Sequence, residues 1–294
     1  MTFVLAHLSD PHLSPLPAPR FSELLGKRAL GYFNWRRKRG TIHRAATLAA
    51  IVRDLKTQAF DHLAVTGDLI NIALDEEFAP ARKWLESLGP PDRVTLVPGN
   101  HDAYVREAAA RLDQEWGDYM RGDAGEAFPF VRRRGPVALV GLSTAVPTPP
   151  FMATGALGAE QLRRLADVLA EVGRQGGFRI VLIHHPPASR PARYIKRLTD
   201  GAQLRRTLQV HGAELLIHGH DHERSLTWLD GPNGKIPAVG VSSASAAVAE
   251  PNKSAGYHLF EIDGKANAWR CILITRGFRG DGSIADVERK VLLN

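Results

Sequence analysis

The chain reads as short apolar runs, each closed by a polar cluster, separated by longer stretches with an apolar position every three or four residues. Thr2 to Leu8, Asp61 to Thr66, Arg93 to Val97, Pro136 to Ser143, Phe178 to Ile183 and Glu214 to Ile217 have the length and apolar character of buried strands. Between them, Thr41 to Gln58 carries Ile42, Ala45, Ala49, Val52 and Leu55 along one face and predicts a helix with Thr41 as its cap. Asp75 to Leu88 and Gly158 to Gly173 predict two more helices, and Ala103 to Gly125 another with a loose end. Strands and helices in alternation predict an α/β fold. After residue 222, the segments Ser225 to Leu229, Ala238 to Val241, Gly256 to Ile262 and Ala268 to Thr275 have turns between them and predict an antiparallel meander at about 224–276 that closes a second sheet. No helical pattern reappears before the tail.

Composition narrows this picture. The chain has 294 residues, 44% hydrophobic and 23% charged, enough for one large α/β domain, and we read residues 1–294 as a single unit. There is no membrane-length apolar run, and the N-terminus shows neither a basic lead nor a long apolar core, so a cytoplasmic protein is expected. The single cysteine, Cys271, excludes an intrachain disulfide and a thiolate metal cluster; its apolar surroundings suggest a buried structural thiol.

The net charge of +7 suggests nucleic acid until it is located. Arg20 to Arg44 holds eight basic residues against one acid, Glu23, and the rest of the chain has 30 of each sign. A nucleic-acid partner is therefore disfavoured. In this segment the basic residues alternate with Phe21, Leu24, Leu25, Tyr32, Phe33 and Trp35, while Gly26 and Gly31 weaken any continuous helix. Three readings stand side by side: a cap-like insertion at about 14–40 with a solvated basic face, a pocket for an anionic substrate, and a peripheral membrane patch through residues 21–39.

The candidate chemistry sits at the strand ends. Asp10 and His12 follow the first run at i and i+2, a spacing that suits a metal or an ordinary Asp-Pro turn. Gly67 to Asn71 supplies Asp68, and the loop after Arg93 to Val97 supplies Asn100, His101 and Asp102. His184 and His185 follow the fifth run, and His218, His220 and His222 the sixth. Carboxylate, amide oxygen and imidazole donors without thiolate suit Mn, Fe or Zn, and their number suits two divalent or trivalent ions sharing one carboxylate.

In order, DPH, GDLIN, GNHD, HHPP and GHDH resemble the motif series of the calcineurin-like metallophosphoesterases over residues 3 to about 222. The resemblance implies a four-layer αββα sandwich, two mixed sheets flanked by helices, with the metal site at strand C-terminal ends. It implies Asp10, His12 and His222 on one metal, Asn100, His184 and His220 on the other, and Asp68 bridging them. His101 would act on the substrate with Asp102 holding its ring, and a metal-bridging hydroxide would attack phosphorus in line. Of the pair, His184 rather than His185 would bind metal, leaving His185 near the pocket or turned outward. Asn71 is either a substrate-side contact or a turn residue. His218 is read as a residue behind the ligands, and His7, His43, His62, His211 and His258 as ordinary histidines.

The expected substrate is a small phosphoester. The motifs resemble most the branch of class III cyclic nucleotide phosphodiesterases and glycerophosphodiesterases, so diesters are favoured and monoesters remain open. Arg190, Arg193 and Tyr194 lie where a substrate-side loop is expected, or form a solvated charged loop. Two alternatives are carried: a membrane-surface pyrophosphohydrolase on a lipid-linked nucleotide sugar of the UDP-diacylglucosamine type, and a non-catalytic scaffold of the same fold.

Overall fold

A computed structural model of the chain describes every residue except Met1, Leu25, Ser189 and Arg190. The chain enters through β1 (Phe3–Leu8), β2 (His62–Val65) and β3 (Val94–Leu96), which run parallel with Leu5 beside His62 and Leu63 beside Val94. It then builds a second sheet from β4 (Phe130–Arg134), β5 (Val137–Gly141), β6 (Phe178–Leu182), β7 (Leu215–His218), β8 (Ser225–Gly231) and β9 (Gly234–Gly240), in the order β4-β5-β6-β7-β9-β8. It returns to the first sheet with β10 (Gly256–Lys265), β11 (Ala268–Phe278) and β12 (Ile284–Leu293), giving the order β12-β11-β10-β1-β2-β3.

Alternation within the strands fixes the layers. Leu139, Ile180, Leu182, Leu215 and Ile217 join the central core shared with the first sheet, whereas Val140, Val181 and Leu216 between them join a second core. Helices cover both sheets. Lys27–Asn34 is α1 and Gly40–Ile42 is α2, followed by α3 (Ala45–Leu55), α4 (Asp75–Leu88) and α5 (Ala108–Trp116). Leu165 and Leu169 of α6 (Ala159–Arg174) and Leu204 and Leu208 of α7 (Gly201–His211) close the second core. The result is a mixed α/β sandwich with two mixed sheets flanked by helices. Cys271 is buried in β11, and burial pushes its thiol up to about 12.

Three expectations need correction. The expected meander is divided: β8 and β9 form the edge of the second sheet, while β10 pairs antiparallel with β1 in the first. The tail is a strand, since Ile284–Leu293 completes the backbone hydrogen bonds of β11 across two bulges. The helix expected from Thr41 begins at Ala45. His43 and Arg44 are extended there because His43 bridges to Ala246 and the Arg44 N–H donates to the Ser245 carbonyl at 3.0 Å. Thr41 Oγ1 donates to the Lys38 carbonyl at 2.8 Å and caps nothing.

The basic aromatic segment folds over the C-terminal ends of β1 to β3. A 3-10 turn (Phe21–Leu24), α1 and a π-helical turn (Trp35–Arg39) make up this cap. It is tied down by Lys27 Nζ donating to Thr148 Oγ1 at 2.6 Å and by Arg28 donating to the carbonyls of Ile72 (3.2 Å) and Ala73 (2.5 Å). Gly31 makes the close approach possible, because a methyl group there would lie 2.6 Å from both Ile72 Cγ2 and the Tyr104 hydroxyl.

Candidate metal centre

Each polar cluster predicted at a strand end lies on one face of the sandwich, at the C-terminal ends of β1, β2, β3, β6 and β7. Two groups of donors form there. Asp10, His12, Asp68 and His222 have donor atoms within 4.8 Å of one another, and so do Asp68, His184 and His220. Asp68 belongs to both: its Oδ2 is 3.7 Å from His12 Nε2 and 3.4 Å from His184 Nε2. Asn100 completes the second group, with Oδ1 3.3 Å from His184 Nε2. Gly99 permits this convergence, because a methyl group there would collide with the Asp68 carboxylate.

The hydrogen bonds show what these rings require. His12 Nδ1 donates to the Ile70 carbonyl at 3.2 Å, His184 Nδ1 to the Thr66 carbonyl at 2.6 Å, and His220 Nε2 to the Lys196 carbonyl at 2.8 Å. The inner nitrogens are thereby left as lone pairs. His184 Nε2 and His220 Nδ1 face each other at 3.3 Å, as do His12 Nε2 and His222 Nε2 at 3.1 Å. The facing His184 and His220 lone pairs repel at this distance unless a cation is shared between them, and His222 Nε2 lies 3.2 Å from Asp10 Oδ1. Asp10 Oδ1 adds a buried carboxylate oxygen that accepts no hydrogen bond. Burial pulls the His184 ring down and the Asp68 carboxylate pulls it up to about 10, so positive charge belongs at Nε2, as a proton or as a metal ion in the proton's place. Carboxylate, imidazole and amide oxygen donors with their outer nitrogens fixed by carbonyls therefore fit two metal ions.

Four expected site residues occupy other places. Asp102 does not hold the His101 ring: it accepts backbone N–H bonds from Asp68 (2.9 Å), Leu69 (2.8 Å), Ile70 (3.3 Å) and Gly99 (2.8 Å), locking the Asp68 and Asn100 loops together. The His101 ring is oriented instead by the Asn71 carbonyl, to which Nδ1 donates. Asn71 is a turn residue, with Nδ2 donating to the Leu13 carbonyl at 2.8 Å and to Glu77 at 3.1 Å. His185 is buried with Nδ1 2.7 Å from Thr144 Oγ1 and Nε2 donating to the Ala153 carbonyl at 3.1 Å, so neither nitrogen reaches a ligand. Tyr194 is exposed under the Arg197 guanidinium and lines neither cavity described below. Arg193 does line the larger cavity, paired with Asp221 at 2.9 Å and Glu223 at 3.3 Å, and Arg190 lies outside the described residues.

Three residues of the site carried no motif. Arg39 reaches in from the cap and donates to His101 Nε2 at 2.6 Å and to His12 Nε2 at 2.9 Å. Burial first, and this guanidinium second, hold His101 down at about 3, so its ring is neutral. His43 packs its ring 4.5 Å from that of His12, with Nδ1 2.8 Å from Ser245 Oγ, and its donor atom falls with those of His12 and His222. Glu77 is buried and accepts N–H bonds from Asn71 (2.7 Å), Ile72 (3.1 Å) and Leu74 (2.9 Å), which holds the turn that positions His101.

Two cavities meet at this centre. One, of about 340 Å³, opens over Asp68, His220 and His222. The other, of about 180 Å³, runs beneath the cap past Trp35, Ile72, Tyr104 and Met152. They share Asn34, Arg39, Asn100, His101, Ala153 and Lys196.

A sandwich that gathers a shared carboxylate, imidazoles and an amide oxygen at its strand ends, under a cationic cap, defines a metal-dependent phosphoester hydrolase. The chain belongs to the calcineurin-like phosphoesterase family, whose model matches residues 3–224. In fold it is similar to a dimetal phosphatase from Danio rerio, at a TM-score of 0.62 and 14% identity over 99% of this chain and 98% of that one. It is also similar to a purple acid phosphatase from yellow lupin (Lupinus luteus) seeds, at a TM-score of 0.60 and 14% identity, covering 97% of this chain and 53% of that one. No curated protein matches the chain.

Proposed function

We propose that the chain hydrolyses phosphodiesters, in the manner of the class III cyclic nucleotide phosphodiesterase and glycerophosphodiesterase branch. The observation that carries this reading is the pair of cavities meeting at Asn100 and His101. A phosphorus bound at that junction has room for a substituent on each side, which a diester has and a monoester lacks.

In this reading Asp10, His12 and His222 hold one ion, Asn100, His184 and His220 the other, and Asp68 both. Bound ions of the Mn, Fe or Zn class supply charge neutralisation at phosphoryl oxygens and acidify water near neutral pH. The chain's own groups do the rest. Arg39 presents a planar guanidinium at the junction of the cavities and grips a phosphoryl oxygen, with Lys196 beside it. The neutral His101 ring, braced by the Asn71 carbonyl, keeps Arg39 in place. The apolar wall of the smaller cavity shelters the leaving group from water.

The test is a panel of aryl and alkyl phosphodiesters and monoesters assayed with Mn, on the wild type and two variants. Diesters are expected to be turned over faster. His101→Ala is expected to keep its metal content and lose most turnover, whereas Asp68→Ala loses metal as well. Preference for monoesters removes the diester reading, and equal metal loss in both variants removes the assigned roles.

A further inference from the structure

Ten large apolar side chains are exposed among the described residues, and six of them lie on the three segments that wall the cavities. Phe21 (88% exposed), Leu30 (41%) and Phe33 (64%) are on the cap, Phe151 (79%) is on the loop 145–153, and Tyr194 (63%) and Ile195 (49%) are on the turn Pro191–Lys196. The segments touch. Lys27 of the cap donates to Thr148 of the loop, and the Ala153 N–H donates to the Ile195 carbonyl at 2.9 Å.

Charge collects on the same rim. Residues 20–44, 145–153 and 191–197 together hold eleven basic residues and one acid, and that acid, Glu23, is already bonded to Arg20. Arg36, Arg37 and Lys38 are exposed, one turn beyond Phe33. Protruding aromatic and aliphatic side chains beside the exposed cations Arg36, Arg37 and Lys38 match the interface of an anionic bilayer, where the rings enter the headgroup layer and the cations meet lipid phosphates. A nucleic acid would engage the cations and leave these apolar groups in water. No helix among the described residues is long and apolar enough to cross a membrane, so contact through this rim is peripheral.

We infer that the cap, the 145–153 loop and the 191–196 turn form a docking surface for an anionic phospholipid bilayer, which sets the mouth of the cavities against the headgroup layer. This goes beyond the proposed hydrolysis, and its test reads sedimentation rather than turnover, so either can fail alone. The full chain is sedimented with vesicles of phosphatidylcholine, with and without about a quarter phosphatidylglycerol. Two variants are compared, Phe21→Ser/Phe33→Ser and Arg36→Ala/Arg37→Ala, whose side chains lie outside both cavities and whose exposure leaves folding intact. The expected result is binding to the anionic vesicles alone, weakened about tenfold or more by each variant. Absence of binding to anionic vesicles, or binding unchanged by the Phe variant, overturns the inference. The second outcome would mean a diffuse attraction to polyanions, to be matched by equal binding to duplex DNA.

Discussion

Asp102→Asn separates the role seen in the structure from the one its motif implies. Asp102 Oδ1 accepts from the N–H groups of Leu69 and Ile70, and Oδ2 from those of Asp68 and Gly99. Asparagine keeps one oxygen and sets an NH2 where the other was, so two buried N–H groups lose their acceptor and meet a donor. Each unsatisfied buried group costs about 1–3 kcal/mol, or about 2–6 kcal/mol for the pair. A neutral side chain returns part of this, because burial and the Asp68 carboxylate push Asp102 up to about 7. A net loss of about 2–4 kcal/mol is expected at pH values above that range, measured by urea unfolding, together with weaker metal retention as the Asp68 and Asn100 loops separate. The sign of the pH dependence is a second readout. With the folded pKa raised, the folded protein keeps a proton that the unfolded chain has lost, so this contribution to stability falls as pH rises from the ordinary carboxylate range to about 7. The variant lacks that slope. Stability within about 0.5 kcal/mol of wild type, with a displaced pH profile of turnover, would refute the locking role and return Asp102 to the service of His101.

Arg39→Gln removes a cation that bonds both His12 and His101; kcat/KM is expected to fall about 10- to 100-fold with metal content by elemental analysis unchanged. Burial pulls Lys27 in the smaller cavity down to about 8, so its charge is present below that pH and lost above it. KM for an anionic diester should rise as pH passes through about 8, and Lys27→Met should show a high KM without that rise. Glu77→Gln disrupts the turn that braces His101, and is expected to lower stability by about 2–5 kcal/mol in thermal or urea unfolding and kcat with it.

What the sequence made legible follows from short-range physics. Apolar runs end where the chain leaves a sheet, and the donor types in the next four or five residues state the chemistry, which is why Asp10, His12, Asp68, Asn100, His184, His220 and His222 could be named as a group. The missed residues depend on contacts that no local pattern encodes. His43 is drawn out of a helical sequence by Ser245, 202 positions away, and nothing near it distinguishes it from a helix-surface histidine. Arg39 is one of four consecutive basic residues, of which Arg36 and Arg37 face solvent and Lys38 lies at the cavity rim, while Arg39 at the end of the π-helical turn reaches the His12 and His101 rings. Asp102 misled because it follows His101 directly, yet neighbours in a tight turn point apart. Helix α7 went unread because only Leu204 and Leu208 mark its buried face among polar positions.

Five of the seven proposed ligands adopt positive φ: Asp10 at 52°, His12 at 39°, Asp68 at 54°, His220 at 69° and His222 at 54°. Such conformations cost about 1–3 kcal/mol each outside glycine, and they persist only where surrounding structure over-determines them. That structure is visible in the continued pairing of the β1 and β2 exits: Asp10 N–H donates to Gly67 at 3.0 Å, His12 N–H to Asp68 at 3.1 Å and Leu13 N–H to Leu69 at 2.8 Å. Backbone hydrogen bonds and the Asp102 lock therefore set the donor positions, leaving the frame little freedom to adapt to different substrates. Variation must enter from groups that approach the frame from outside it. Among the described residues the cations lining the two cavities are Lys27, Lys38, Arg39, Arg193 and Lys196, all from the cap or the turn 191–196. If substrate preference is set by these cations, exchanging the cap is expected to change which ester is cleaved, measured as relative kcat/KM across a panel of esters, while leaving metal content intact.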